Sequence, residues 1–387
     1  MKDISKNHLL ILIFSWLTMH FILFEYFGIR SLFDSTQFLN KGDFLIRYQR
    51  FEDVRQIFYA VFIFLIAVFR WLFPGQIIFF LVFQCVVSGI GMLALYRAST
   101  KIFNNQLAGF LTALIFLLWF DNIHWNMAIM TESLLCSFTC FIIFRLTFFK
   151  GTMKDYFWII ALSTIIFFIR PTGVLIILGV ILFLINYYWP GLKNKPLWKA
   201  SLIVSLFFIV IFGANVMLTY WNFSEQYEKG NIVTYMDAIK GSSLYSKSLQ
   251  MEPSNLKLAD DSELPLFKPL LFIFYNPVFF LKTGGLKTWY LVTAIRPYYS
   301  LLHNFYIIIW MGMVYFMYYF GCRSLSRKPI KTFTLTVILA NCGLIAISSV
   351  DWDNRFYIPM EPGIVLLAGG GAAYFIKLIS SFIRLKT

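Results

Sequence analysis

Long apolar segments recur along this chain of 387 residues, and each is close to the length of a membrane-spanning helix. Hydrophobic residues make up 59% of the sequence and charged residues 13%, whereas about a quarter of residues are charged in an average soluble domain. About 20 apolar residues are enough to cross the hydrocarbon core of a bilayer as a helix. The sequence therefore predicts an all-α polytopic membrane protein.

We expect about ten transmembrane helices and one further apolar segment that does not cross the membrane. The predicted spans are residues 9–27, 76–96, 106–120, 133–149, 156–170, 172–189, 200–220, 301–321, 331–350 and 359–380. The remaining segment, residues 57–73, is as short as a span can be, contains Arg70 and is followed by Pro74. We interpret it as an interfacial or re-entrant helix.

The Lys and Arg residues of the short loops indicate which way the chain crosses the membrane. If residues 57–73 stay at the surface, the loops and tails of one side contain 15 such residues. These are Lys2, Lys6, Arg97, Lys101, Lys150, Lys154, Lys193, Lys195, Lys199, Arg323, Arg327, Lys328, Lys331, Arg384 and Lys386. The short loops of the other side contain two, Arg170 and Arg355. Because short loops rich in Lys and Arg stay in the cytoplasm, we expect both termini to be cytoplasmic.

Two outer segments are too long to be simple connections. The first is residues 28–75, which include the interfacial helix 57–73, and the second is residues 221–300. Pro269 and Pro277 interrupt the apolar part of the second segment, so we expect it to lie on the membrane. Loops of this length are usually functional. Since no internal repeat or detachable soluble domain is evident, residues 1–387 are expected to form one folding unit.

The formal net charge of +14 raises the question of a nucleic-acid partner. The basic residues are spread through loops between apolar segments, where they set orientation and meet anionic lipid headgroups. We therefore expect membrane lipids among the partners and no nucleic acid. The five cysteines lie in or beside apolar segments without metal-ligand spacing, which indicates packing roles.

Two acidic residues on the predicted outer side are candidates for catalysis. Asp34 follows the first span in the sequence FDSTQFLN. It is either a helix-capping or solvated loop aspartate, or a general base held at the membrane surface. Glu132 leads into the span 133–149. It is either a carboxylate favoured by the helix dipole or a functional acid, because a carboxylate at the edge of a bilayer is costly.

Four arginines on the same side are candidates for phosphate binding, because a guanidinium is permanently charged and offers a bidentate fork. Arg170 in FFIRPTG is alternatively a snorkelling residue at the interface, and Arg355 in SVDWDNRFYIPMEPG is alternatively a snorkelling residue paired with Asp351 or Asp353. Arg50 and Arg55 lie in RYQRFEDVRQ, whose acidic residues are equally typical of a solvated surface.

The sequence predicts no dedicated metal site and no organic cofactor. Only Asp34, Glu132 and the Asp351/Asp353 pair are suited to converge on a hard divalent cation, so such an ion stays an open alternative. The run of residues 369–371, three glycines, is interpreted as a site of close helix packing.

These motifs resemble those of the membrane glycosyltransferases of the C-type (GT-C) fold. They occur in the same order along the chain, and all are predicted on one side of the membrane. The similarity is to the branch that contains protein O-mannosyltransferases and the bacterial aminoarabinose transferase of lipid A. It rests on residues 34–38 (DSTQF), 131–133 (TES), 170–173 (RPTG) and 355–359 (RFYIP), which span most of the chain. Phenylalanine stands at positions 38 and 356, where the family usually has tyrosine.

The resemblance implies transfer of a sugar from a polyprenyl-phosphate donor to a lipid, glycan or protein acceptor, with inversion at the anomeric carbon. Asp34 would be the base and Glu132 a second catalytic acid. Arg355, and after it Arg170, would neutralise the departing phosphate. The remaining members of the implied donor site are Arg50, Arg55 and Tyr357. A chain this compact favours a bacterial inner (plasma) membrane, with the active site outward.

Two other classes of protein fit the same composition. A transporter or flippase of lipid-linked sugars would have ionisable residues near the middle of the bilayer, broken helices and paired repeats. A non-catalytic membrane protein that binds a glycolipid would need neither feature. The clustering of charge at one edge favours the enzyme.

Overall fold

The computed structural model describes residues 5–31, 33–192, 228–234, 236, 241, 249–260, 262–265, 267–325 and 328–384. Within these ranges the regular secondary structure is helical, with three isolated β-bridges outside any strand. Seven of the described helices are long and apolar enough to cross a membrane. The number rises to nine if each of two sharply bent helix pairs counts as one span. The all-helical architecture of a membrane protein is thus confirmed, while the count of ten spans stays a prediction.

The helices follow one another with short connections over most of the described chain. The N-terminal part contains α1 (Lys6–Phe27), α2 (Phe33–Tyr48), α3 (Ala60–Leu72), α4 (Ile78–Phe103), α5 (Gln106–Leu118), α6 (Phe120–Ile123), α7 (Thr131–Thr147), α8 (Met153–Ile169) and α9 (Gly173–Tyr188). The C-terminal part contains α10 (Phe267–Tyr275), α11 (Pro277–Thr293), α12 (Leu301–Ser324), α13 (Lys328–Ile347) and α14 (Glu361–Arg384). The predicted span 200–220 lies outside the described residues.

The first long loop contains more helix than expected. Residues 33–48 form α2, and the predicted interfacial helix 57–73 is divided into a 3-10 turn, Val54–Tyr59, and α3. Helix α2 packs closely on α3, because a Cβ atom at Gly42 would lie 2.7 Å from a methyl group of Ile66. Both oxygens of Asp43 accept hydrogen bonds from Arg70, at 2.5 and 2.8 Å. The two helices therefore form a pair held by apolar packing and one ion pair.

The three consecutive glycines of α14 lie where other helices come nearest to it. A Cβ atom at Gly369 would be 2.0 Å from Oγ1 of Thr112 on α5, and one at Gly371 would be 1.8 Å from the carbonyl oxygen of Met317 on α12. Only glycine leaves room for such an approach. This geometry agrees with the close packing that the sequence predicts.

Contacts divide the chain into two compact units. Unit 1 comprises Met1–Phe183, Gly312–Val337 and Ile358–Thr387, and unit 2 comprises Leu184–Met311 and Ile338–Tyr357. The expectation of one folding unit stays a prediction.

Candidate functional site

Glu132 and Arg170 form a buried ion pair in unit 1. The guanidinium Nη1 of Arg170 donates to Oε1 of Glu132, and the hydroxyl of Thr131 donates to the other carboxylate oxygen at 3.2 Å. The Glu132 side chain is fully buried and that of Arg170 is 9% exposed. Glu132 occupies the first turn of α7, and Arg170 directly follows the C-terminus of α8. Each charge thus lies at the helix end whose dipole favours it.

The local sequence explains the position of Arg170. A residue before proline is driven out of the helical region, and Arg170, which precedes Pro171, is extended with φ −161° and ψ 140°. Helix α8 therefore ends at Ile169. The chain then turns back through a hydrogen bond from the Gly173 amide to the Arg170 carbonyl. A Cβ atom at Gly173 would lie 2.5 Å from the Ile166 carbonyl oxygen, which explains the glycine of the RPTG motif.

Asp34 lies in the first turn of α2, also in unit 1, and its side chain is half-buried. The segment that precedes Asp34 is hydrogen-bonded to the segment that precedes Glu132. The amide of Arg30 donates to the Met127 carbonyl at 2.8 Å, and Arg30 and Ala128 form an isolated β-bridge. The segments before α2 and before α7 therefore lie side by side.

The other residues of the first long loop take different positions. Arg50 and Arg55 are exposed, and the Arg55 amide donates to Asp53, whose side chain caps the 3-10 turn. Phe38 is buried between α2 and α3, with its ring centroid 4.9 Å from that of Phe62. The phenylalanine at position 38 is thus a packing residue.

Asp351 and Arg355 form a second ion pair, in unit 2. Their atoms Oδ1 and Nε are 2.8 Å apart, and the side chains are 3% and 15% exposed. Both belong to the segment between α13 and α14, residues 348–360, together with the half-buried Asp353 and the buried Tyr357. The described structure thus gives each of the two favoured arginines a carboxylate partner.

Residues of α11 and of the connection that follows it hold this segment by its backbone. Lys287 Nζ donates to the Ser348 carbonyl at 2.5 Å, and Arg296 Nη2 donates to the Asp351 carbonyl at 3.2 Å. The side chains of Lys287 and Arg296 are fully buried. Sequence analysis did not single out either residue. The available signal was the presence of a lysine and an Arg-Pro pair inside the apolar part of the segment 221–300.

The same connection contributes an aromatic pair. The rings of Tyr298 and Trp352 are stacked, with centroids 3.9 Å apart and planes 9° apart, and both side chains are half-buried. Burial raises the pKa of Tyr298, so its hydroxyl stays protonated. It donates to the Trp352 carbonyl at 2.7 Å.

Glu361 is a further buried acid in unit 1 that sequence analysis did not single out. It begins α14, is 1% exposed and accepts a hydrogen bond from Nδ2 of Asn122 at 2.6 Å. Its position two residues after Pro359 at the predicted start of the last span was the available signal. Among the described residues, no group of three or more His, Cys, Asp and Glu side chains is placed to hold a metal ion.

Comparisons with protein-family models, with curated proteins and with solved structures gave no match. The class of the protein therefore rests on its own helices. Their length and apolar character are those of an integral membrane protein with an all-helical fold.

Proposed function

We propose that this chain is a membrane glycosyltransferase of the C-type fold that transfers a sugar from a polyprenyl-phosphate donor to an acceptor at the outer face of a bacterial inner membrane. Both termini are cytoplasmic in this proposal, and α3 lies at the outer surface. The main observation in its support is the β-bridge between Arg30 and Ala128. This bridge favours an arrangement in which the candidate acids Asp34 and Glu132 lie in the same compartment.

The neighbours of Ala128 support that shared compartment. Arg30 follows the end of α1 closely, and Gln84, in the second turn of α4, donates to the Ala128 carbonyl at 2.9 Å. The chain therefore leaves α1 and enters α4 at the same edge of unit 1. By length and hydropathy alone the segment Val54–Leu72 also suits a span. A crossing would separate the end of α1 from the start of α4, so these contacts favour the interfacial placement.

The proposed reaction is a single displacement. Asp34 removes the proton of the acceptor hydroxyl or amine as that group attacks the anomeric carbon of the donor sugar. The bond between this carbon and the phosphate oxygen breaks, and its electron pair goes to the phosphate. Arg355 neutralises the new charge on the phosphate. We rank Arg355 above Arg170 because its side chain is the more exposed of the two.

The first test is Asp34→Asn in the purified full chain, reconstituted into vesicles with radiolabelled polyprenyl-phosphate sugars. Loss of the base should lower the rate of transfer about 10²- to 10⁴-fold. Asp53→Asn is the matched control, because it makes the same change in the same loop and asparagine also caps well. Transfer by Asp34→Asn at near the wild-type rate would remove Asp34 as the base.

A transporter of lipid-linked sugars is the second candidate, favoured by the two bent helix pairs. The first pair joins α5 to residues 120–127 with a bend of 63°, and the second joins α10 to α11 with a bend of 113°. Broken helices are typical of transporters. The same vesicles separate the classes: labelled product demands an enzyme, movement of the intact lipid without product indicates a transporter, and binding alone indicates a glycolipid-binding protein.

A further inference from the structure

The backbone of the segment between α13 and α14 is held by hydrogen bonds at Ser348, Asp351, Trp352 and Phe356. Five hydrogen bonds from other parts of unit 2 are donated to its carbonyl groups. The donors are Lys287, Arg296, Tyr298, Tyr299 and Asn341, and Asn354 donates in return to the Ala294 carbonyl. A segment held in this way presents its outward side chains in a fixed arrangement, as a binding site requires.

Trp352 is a half-buried aromatic residue of this segment. Tyr298 stacks on it, and the hydroxyl groups of both Tyr298 and Tyr299 donate to its carbonyl oxygen, at 2.7 and 3.2 Å. Aromatic residues of a membrane interface keep their polar tips in water. Here the two tyrosine hydroxyls bind the backbone carbonyl of Trp352, so a simple role as interfacial anchors does not explain the arrangement.

We propose that the Trp352–Tyr298 pair is the sugar subsite of the donor-binding site, where a pyranose or furanose ring lies against the aromatic surface. The proposal rests on the function proposed above, because it concerns the donor whose phosphate Arg355 binds.

The chemistry of the neighbouring residues suits a sugar phosphate. The face of an aromatic ring has a partial negative charge, and the C–H groups on one side of a sugar ring present partial positive charges to it. Asp353 follows Trp352 in the sequence and is half-buried. A carboxylate is an acceptor for hydrogen bonds from the hydroxyl groups of a sugar. Arg355 is three residues from Trp352, so their Cα atoms are about 10 Å apart at most. A sugar ring and its phosphate can bridge that distance.

The test measures binding of two kinds of lipid to the full chain in detergent micelles. One is polyprenyl phosphate without a sugar, and the other is polyprenyl phosphate that carries mannose, glucose, galactose or arabinose. The wild-type chain should bind at least one of the sugar-bearing lipids about tenfold more tightly than the bare lipid. Trp352→Ala should remove this difference and leave the affinity for the bare lipid unchanged.

Two further variants separate the aromatic surface from the volume of the side chain. Trp352→Phe should keep most of the preference for the sugar, whereas Trp352→Leu, which fills the space without an aromatic face, should lose it. Trp289→Ala is the matched control, because Trp289 is also in unit 2, is 59% exposed and has no part in the stack. It should bind both lipids as the wild-type chain does.

The outcomes distinguish this inference from the function on which it rests. If the wild-type chain prefers a sugar-bearing lipid and the Leu variant keeps that preference, the subsite lies elsewhere and only the inference falls. A wild-type chain that binds the bare lipid and all four sugar-bearing lipids equally also overturns the inference. If it binds no polyprenyl phosphate at all, the proposed function falls as well.

Discussion

Glu132 and Arg170 are two opposite charges that the ends of α7 and α8 bring together with little exposure to water. Removing an ion from water is costly, and the attraction between the partners repays this cost only while both are present. The Asp43–Arg70 pair has similar chemistry, but its side chains are 42% and 30% exposed, so water screens it. The environment of each pair, rather than its distance, therefore decides how much it contributes to stability.

Glu132→Gln should lower the free energy of unfolding by about 3–5 kcal/mol, because it leaves Arg170 buried without its carboxylate. Arg170→Gln should cost a similar amount, and the double variant should cost much less than the sum. Asp43→Asn is the control and should cost at most about 1 kcal/mol. The measurement is denaturant unfolding of each variant in the same detergent. Equal losses for Glu132→Gln and Asp43→Asn would contradict the contrast in burial.

Sequence alone predicted the individual charges, but it did not predict that Glu132 and Arg170 are partners. Glu132 and Arg170 were predicted at helix ends on one side of the membrane, yet their contact depends on how α7 packs on α8. The pairing of Arg355 with Asp351 or Asp353 was predicted as one alternative because all three lie within five residues, and the structure shows Asp351 as the partner. Lys287 and Arg296 were missed because they donate hydrogen bonds to backbone carbonyl groups of a segment that is distant in sequence. A sequence pattern does not show which carbonyl groups accept such bonds.

Helices differ in how well hydropathy reveals them. Helix α14 was predicted from its apolar length, and its three consecutive glycines were interpreted as a site of close helix packing. Helix α2 was missed, because its sequence mixes charged and apolar residues and reads as a loop. It is a helix because one side packs on α3. Asp34 consequently lies in a helical turn, where its side chain is more fixed than in a loop.

The packing of α14 predicts a contrast between two glycines that hydropathy treats alike. Gly371→Ala should destabilise the protein strongly, because a Cβ atom there would meet the Met317 backbone at 1.8 Å. Gly285→Ala in α11 is the control, since a Cβ atom at that position has no atom within 4 Å. Alanine there should be neutral or stabilising by up to about 1 kcal/mol. Thermal unfolding of both variants in detergent checks the pair, and similar melting temperatures would contradict the packing.

At the scale of the whole molecule, one question decides whether the candidate acids can act together. Every loop after residue 73 changes sides according to whether α3 crosses the membrane. The positive charges of the short loops and the bridge between Arg30 and Ala128 are independent observations, since one concerns composition and the other contact. Both favour an α3 that stays at one surface.

Cysteine labelling in sealed, oriented vesicles tests this topology at exposed positions on both sides of α3. The five native cysteines are first replaced by serine or alanine, and single cysteines are then placed at Ser31, Gln76, Asn104 and Lys154, which are all exposed. A membrane-impermeant maleimide should label positions 31 and 76 from the same face, because the chain leaves α1 and enters α4 there. Position 104, directly after α4, and position 154, in the first turn of α8, should react only from the other face. Labelling of positions 31 and 76 from opposite faces would mean that α3 crosses, and it would place Asp34 and Glu132 in different compartments.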